Sequence, residues 1–337
     1  MAKLRLSFIS AFNERVDALM KGQVPAEGIE IVPTYSHPSE TFWRQLKFQE
    51  FDVGEMSMSS YLIARERGFD MIALPVFPSR RLFHTEVSYH ADSGIRKPED
   101  LAGKRFGVGE YQQTAALWQR GILEHDFGVS QFKVHWHMER TEELSHGGAT
   151  GFTPPPGISF HRIPPDKSMA SMLVKNELDA AAINSPWKNL PSFIGRSHRI
   201  PGIDGDWSKV KLLFSDRLAE GRRFFQKWGF LPVNHAYTIR GDIYKKYPWV
   251  AFNLYSAFVK AKQHFNARLG DSIPSALFFG KEYLAMTQEI FGNDPYPYGV
   301  KNNRAMLDTL INFSHEQGLI VKKPSVEDLF ARSTLEL

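Results

Sequence analysis

The residues best equipped for chemistry in this chain stand in one short segment, Phe77-Pro78-Ser79-Arg80-Arg81-Leu82-Phe83-His84. Arginine offers a planar fork of donors matched to carboxylates and keeps its charge at any working pH. Histidine is the side chain most easily tuned to exchange a proton near neutrality. A site that anchors a carboxylate-rich small molecule and moves a proton on it would want these groups together. The plain alternative is one surface arginine and one paired with an acidic neighbour. Successive residues of an extended strand point to opposite faces, so Arg80 and Arg81 act together only if Pro78 starts a turn. A second cluster, His135-Trp136-His137 with His146 and His161 following, puts two imidazoles on one face of a strand. No spaced carboxylate or thiolate completes it, and solvated strand histidines are commoner than half-built metal sites, so no metal is assigned.

The elements that must position these groups alternate between strand and helix patterns, which indicates α/β layering. Strands are expected at 4–9, 29–35, 51–56, 71–76, 104–109 and 178–184, with an amphipathic stretch at 13–20. Three of these strands have the same form, a short apolar run ending in polar residues that start a helix. The polar ends are Ser57 to Ser60, Glu110-Tyr111-Gln112-Gln113-Thr114 and Asn184-Ser185. Serine and threonine cap helices there, backbone N–H groups at helix starts attract anions, and ligands collect at the carboxyl ends of strands in open α/β sheets. The run 146–157, with four glycines and three prolines, reads as a loop or hairpin excursion without regular structure. Helices are expected at 217–227, 249–269 and 301–317, the last stopped by Gly318.

Composition bounds the function. With 337 residues, two lobes of ordinary domain size are expected. Hydrophobic residues at 42% and charged residues at 23% are globular values. The net charge of +4 is spread out without a basic run, which argues against nucleic acid and suits an anionic metabolite. No run of about twenty apolar residues is present to span a membrane. The first ten residues read as a strand rather than a secretory signal, so a cytoplasmic location is expected. Zero cysteines exclude disulfides, thiolate metal sites and cysteine nucleophiles. Self-association is left open.

Several segments carry a family resemblance: FDVGEMSMSSYL (51–62), LPVFPSRRLFH (74–84), KPEDLAGKRFGVGEYQQTAALWQRGILEHDFGV (97–129), PVNHAYTIR (232–240), YPWVAFNLYSAFVKAK (247–262) and NDPYPYGVKNNRAMLDTL (293–310). Together they resemble the 4,5-dihydroxyphthalate decarboxylases, which are similar in turn to type II periplasmic solute-binding proteins. The PED-L-GKR-GV stretch is common to many solute-binding proteins and speaks only to fold; FPSRR-FH, EYQQTAA and DPYPYG are more specific. The resemblance implies an α/β, two-lobed periplasmic-binding-protein-like fold, with two crossing hinge strands and a ligand cleft between lobes. The lobes would be 1–86 plus 236–337 and 87–235, with His84 and His235 at the crossovers.

It also implies a chemistry. With a hydroxyl para to the leaving carboxylate, protonation of the ipso carbon gives an oxygen-stabilised intermediate that loses carbon dioxide. That route needs an acid over the ring, a partner for the phenol proton and an anchor for the retained carboxylate, and it requires no cofactor. Under this reading His84 donates the proton, His235 serves the phenol side, and Glu55 or Glu110 orients an imidazole or acts as base. Arg80 and Arg81 anchor carboxylate, while Ser57, Ser60, Tyr111, Gln112, Thr114, Asn184, Ser185 and Asn234 line the substrate. Each has a structural alternative: buried histidine, salt-bridged or capping carboxylate, capping serine, packed tyrosine, turn residues. The partner is a small aromatic carboxylate, and the best substrate is 4,5-dihydroxyphthalate or a close dihydroxylated dicarboxylate. The competing class is a non-catalytic binding or sensor protein for such a ligand. A pyrimidine-precursor synthase of the thiamine type is disfavoured, because no cysteine- or histidine-rich motif of that group is present.

Overall fold

The computed structural model describes residues 2–183 and 205–337. Its strands are β1 (Leu4–Ser10), β2 (Ile29–Tyr35), β3 (Val53–Ser57), β4 (Met71–Leu74), β5 (Ser88–His90), β6 (Arg105–Val108), β7 (His135–Met138), β8 (Ser159–Arg162), β9 (Ala180–Ala181), β10 (Val210–Leu212) and β11 (His235–Arg240). They form two sheets, ordered β2-β1-β3-β11-β4 and β10-β5-β9-β6-β7-β8. The chain divides into two compact units. The first comprises Met1–Arg81, Phe225–Thr309 and Lys323–Leu337, and the second Leu82–Phe224 and Leu310–Lys322.

In the first unit β1 pairs in parallel with β2 and β3, while β11 runs antiparallel between β3 and β4. Alternate residues of these strands, such as Leu6 and Phe8, turn to a core closed by the helices Glu14–Met20 and Trp249–Ala276. The long helix buries Val250, Leu254, Phe258 and Ala261, the spacing of one helical face. Of its aromatics Tyr255 and Phe258 are core, Phe258 stacking on Tyr237 with ring centroids 4.6 Å apart, whereas Trp249 and Phe252 are exposed. The outer edge strand β4 is bridged at Ala73 by Phe330, and Ala331 N–H donates to Ala73 O at 2.9 Å.

In the second unit β9, β6, β7 and β8 are parallel, and β5 runs antiparallel between β9 and β10. The helix Thr114–Phe127 follows β6 and carries Gly121 where a Cβ would run into the ring of Phe313. That close approach explains a glycine in the middle of a helix, where it is otherwise unfavourable. The segment expected to lack regular structure departs from expectation. Residues His146–Thr150 form a short helix, capped by Ser145, whose hydroxyl accepts from Gly148 N–H at 2.7 Å, and ended by Gly151 in the left-handed region at φ 72°. The cap and the burial of His146 and Gly147 outweigh the poor helix propensity of two glycines. No helix among the described residues is long and apolar enough to cross a membrane.

Candidate active site

β1 and β3 end at one edge of the first sheet, and β11, running the other way, begins there. Cross-strand register sets His235 opposite Ser57 and Tyr237 opposite Glu55, so all four side chains share one face. His235 Nδ1 lies 2.6 Å from Glu55 Oε1. The other carboxylate oxygen accepts from Ala11 N–H at 2.9 Å and from Ser10 Oγ at 3.3 Å. Ser10 Oγ also meets Tyr237 Oη at 2.9 Å. Glu55 is an acceptor throughout, so Nδ1 carries the proton of the short contact and Nε2 is the nitrogen left to exchange one. Phe42 packs edge-on against the imidazole at 4.6 Å. Burial, with the negative charge of Glu55 adding to it, pushes the Tyr237 hydroxyl well above its ordinary 10, so Tyr237 stays a donor.

The arginine pair behaves differently from the joint anchor expected. Residues 79–81 run extended beside 232–234: Asn234 N–H donates to Ser79 O at 2.8 Å, Arg81 N–H to Pro232 O at 3.1 Å, and Arg80 bridges Val233. Pro78 does not turn the two side chains to one side. Its carbonyl is instead held by Asn13 Nδ2 at 2.9 Å and Arg15 Nη2 at 2.8 Å. Arg80, 4% exposed, donates to Leu231 O and Pro297 O, each at 2.9 Å, and to Asn303 Oδ1. Burial lowers its guanidinium to about 10, still charged at neutrality. Arg80 therefore braces the Pro297–Asn303 turn, and Arg81 is the half-buried member of the pair.

In the second unit His84 is fully buried, wedged between Phe214 and Phe224 at 5.3 and 5.2 Å. Its Nε2 meets Glu220 Oε1 at 2.6 Å, and Arg223 bonds both oxygens of Glu220 at 2.7 Å before reaching Asp126 at 2.6 Å. Burial would raise the Glu220 carboxyl, but the bonds from His84 and Arg223 bring it below its usual range. Expected as the proton donor, His84 instead sits in a closed ion-pair network among phenylalanines.

Glu110, also fully buried, follows β6 and is gripped by Arg140, Gln112 and the N–H of His146 at 3.0 Å. Burial opposes its charge, yet His146 and Arg140 hold its carboxyl below the ordinary 4.5. His146 Nδ1 lies 3.6 Å from its Oε1. Tyr111 packs inside the unit: its hydroxyl donates to Gln131 at 2.6 Å, and the Arg120 guanidinium lies 3.8 Å over its ring.

Ser57 occupies the cap position of the helix Met58–Glu66 without a side-chain cap bond, and the first helical N–H, of Met58, goes to Asn234 O at 3.1 Å. Ser60 is buried with its hydroxyl unbonded among the described residues. Thr114 opens its helix as a buried residue. Asn184 and Ser185 lie outside the described residues. The histidines of β7 and β8 form a ladder, His137 stacked on His161 at 4.9 Å and His135 Nδ1 2.8 Å from Ser159 Oγ. Among the described residues no three metal-ligating side chains converge. Sequence reading did not pick out Ser10, Tyr237 or Arg140. The polar residue that ends an apolar strand was the usable signal for Ser10 and Arg140, whereas the value of Tyr237 depends on register.

Residues 12–185 match the family model described as ABC transporter, phosphonate, periplasmic substrate-binding protein. The aliphatic sulphonate binding protein SsuA from Escherichia coli superposes with a TM-score of 0.54 at 14% identity over all of both chains, and its Xanthomonas axonopodis counterpart with 0.53, also at 14%, over 98% of each. These likenesses show the fold, which is that of the periplasmic binding proteins. At the level of sequence, a 4,5-dihydroxyphthalate decarboxylase of Pseudomonas putida is 35% identical over 181 residues, covering 53% of this chain and 70% of that one. One of Comamonas testosteroni is 30% identical over 339 residues, spanning 100% of this chain and 99% of the relative. A match of that extent, on this fold, shows that the chain belongs to the 4,5-dihydroxyphthalate decarboxylase family.

Proposed function

We propose that the chain is a carboxy-lyase that converts 4,5-dihydroxyphthalate to protocatechuate and carbon dioxide, with His235 as the acid. The full-length relationship to a decarboxylase supports the reaction. The observation that carries the assignment is the His235–Glu55 contact of 2.6 Å at the carboxyl edge of a largely parallel sheet. Glu55 fixes the ring through Nδ1, and Nε2 delivers a proton to the ring carbon that bears the departing carboxylate. The phenol para to that carbon gives its proton to solvent and becomes the carbonyl of a dearomatised ring. The bond to the carboxylate then breaks, its electron pair returns to the ring, and carbon dioxide leaves. Protons taken from solvent by the phenolate oxygen and by His235 Nε2 complete the turnover. No electron sink beyond the substrate's own oxygen is needed. Arg81, rather than Arg80, anchors the retained carboxylate, and Ser57, opposite His235 in register, offers a hydroxyl beside it.

The test is incubation of the pure, chelator-treated protein with 4,5-dihydroxyphthalate, following carbon dioxide and protocatechuate together. Stoichiometric release of both is expected. Saturable binding without turnover would overturn the reading in favour of a solute-binding role, the class to which the matching family model's description refers. Activity lost on chelation and restored by a metal would overturn the cofactor-independent step.

A further inference from the structure

Ser10 sits where two acceptors compete for one hydroxyl proton. Its Oγ lies 2.8 Å from Ala11 O and 3.3 Å from Glu55 Oε2. Tyr237 Oη stands 2.9 Å away and, with its proton held firmly, donates to Ser10 Oγ. Ser10 and Tyr237 are both fully buried, so water is kept from replacing either bond. Among the described residues the titratable groups facing this cluster are Glu55 on β3, His235 and Tyr237 on β11, and, coupled to Tyr237 from further out, Arg15 on the helix Glu14–Met20 and Tyr298.

While His235 is an imidazolium, its positive charge compensates Glu55. The Ser10 hydroxyl is then best placed on Ala11 O, the nearer acceptor. Once Nε2 has given its proton away, Glu55 is left as an uncompensated buried carboxylate and needs a further donor. A rotation about one Ser10 torsion supplies it, with Tyr237 still donating to the oxygen that turned.

We propose that Ser10, backed by Tyr237, is a positioning residue that swings its hydroxyl proton to Glu55 as His235 releases a proton, and so eases proton delivery to substrate. This rests on the assignment of His235 as the acid. No covalent bond of Ser10 or Tyr237 changes, and the proton that reaches the ring is that of His235 alone.

Removing the swing strengthens the hold of Glu55 on the protonated imidazole. In Ser10→Ala, the His235 ring should titrate about half a pH unit or more higher than in the unaltered protein, read by NMR of labelled histidine with His235→Asn to assign the signal. Tyr237→Phe should move it the same way by less, because it weakens rather than removes the donor. Ser10→Thr, which keeps the hydroxyl, should return it. With substrate, kcat should fall about tenfold in Ser10→Ala while KM stays within about twofold, as for an interaction made only on the way to the transition state. An unmoved His235 titration in Ser10→Ala would overturn the proposal; should that variant not fold, an unmoved titration in Tyr237→Phe would do the same. The NMR measurement needs no turnover, so it is decided apart from the decarboxylase reading, whose own failure is absence of carbon dioxide from the unaltered protein.

Discussion

Two histidines and two arginines in this chain look interchangeable on paper and are not. His235 meets the Glu55 carboxylate through Nδ1 at the end of a sheet, whereas His84 lies between phenylalanine rings inside an ion-pair network. His235→Asn should therefore lower kcat by about 10²- to 10⁴-fold with the melting temperature little changed. His84→Ala should instead cost roughly 3 kcal/mol of stability, by opening a cavity and leaving Glu220 without one partner. Turnover in protein kept folded at low temperature separates the two effects. The arginines divide in the same way. Arg80→Ala leaves Leu231 O and Asn303 Oδ1 without their donor, weakens the hold on Pro297 O, and should destabilise by about 3 kcal/mol, seen in urea melts. Arg81→Ala should raise KM for the dicarboxylate about tenfold or more. The sequence pointed to the FPSRR-FH segment but could not divide the labour, because the side an extended residue faces depends on its partner strand. Here that partner is 232–234, some 150 residues away.

At the scale of elements, the strand and helix pattern was largely readable. Alternation over 4–10 and 29–35, and helical spacing over 249–261, are local properties, and the structure has elements at those places. What could not be read is register. Nothing local says that Tyr237 stands opposite Glu55, or that 146–150 is held as a helix by Ser145 and Glu110. The same holds for the β7–β8 histidine ladder. Burial, aided by His161, Arg105 and His135, lowers the His137 imidazole from 6.5 to about 4. A histidine whose folded value is depressed stabilises above its unfolded value and loses that contribution as pH falls through the folded one. Stability should thus decline between about pH 6.5 and 4, and His137→Val should flatten that stretch of the melting-temperature profile. An equally steep decline in the variant would show that the ladder is not its source.

At the scale of the molecule, both units collect their charged clusters at the carboxyl ends of parallel strands, Glu55 with β3 and Glu110 with β6. Each unit's structure also depends on distant sequence. In the first, Leu329 O accepts from Tyr61 Oη at 2.6 Å, and Leu329, Phe330 and Ala331 are buried against the β4 edge. A chain ended at Asp328 gives up these bonds together with two large apolar side chains, about 4 kcal/mol by area alone. Its melting temperature should fall by about 10 °C, and light scattering should rise as β4 becomes a bare edge. A truncated protein that melts like the intact one would show that β4 is closed without this segment.

That closure also orders events in time. β4 is complete once residue 74 has left the ribosome, yet β11, its neighbour, and Phe330, its cover, are made more than 150 residues later. At typical synthesis rates the gap lasts about ten seconds or longer. Until β11 emerges, an apolar strand lies open on both sides while residues 82–224 of the second unit are being translated. The Phe330 cover is thus the closing step of a vectorial folding programme, and its lateness makes the nascent first unit a natural client for holding chaperones.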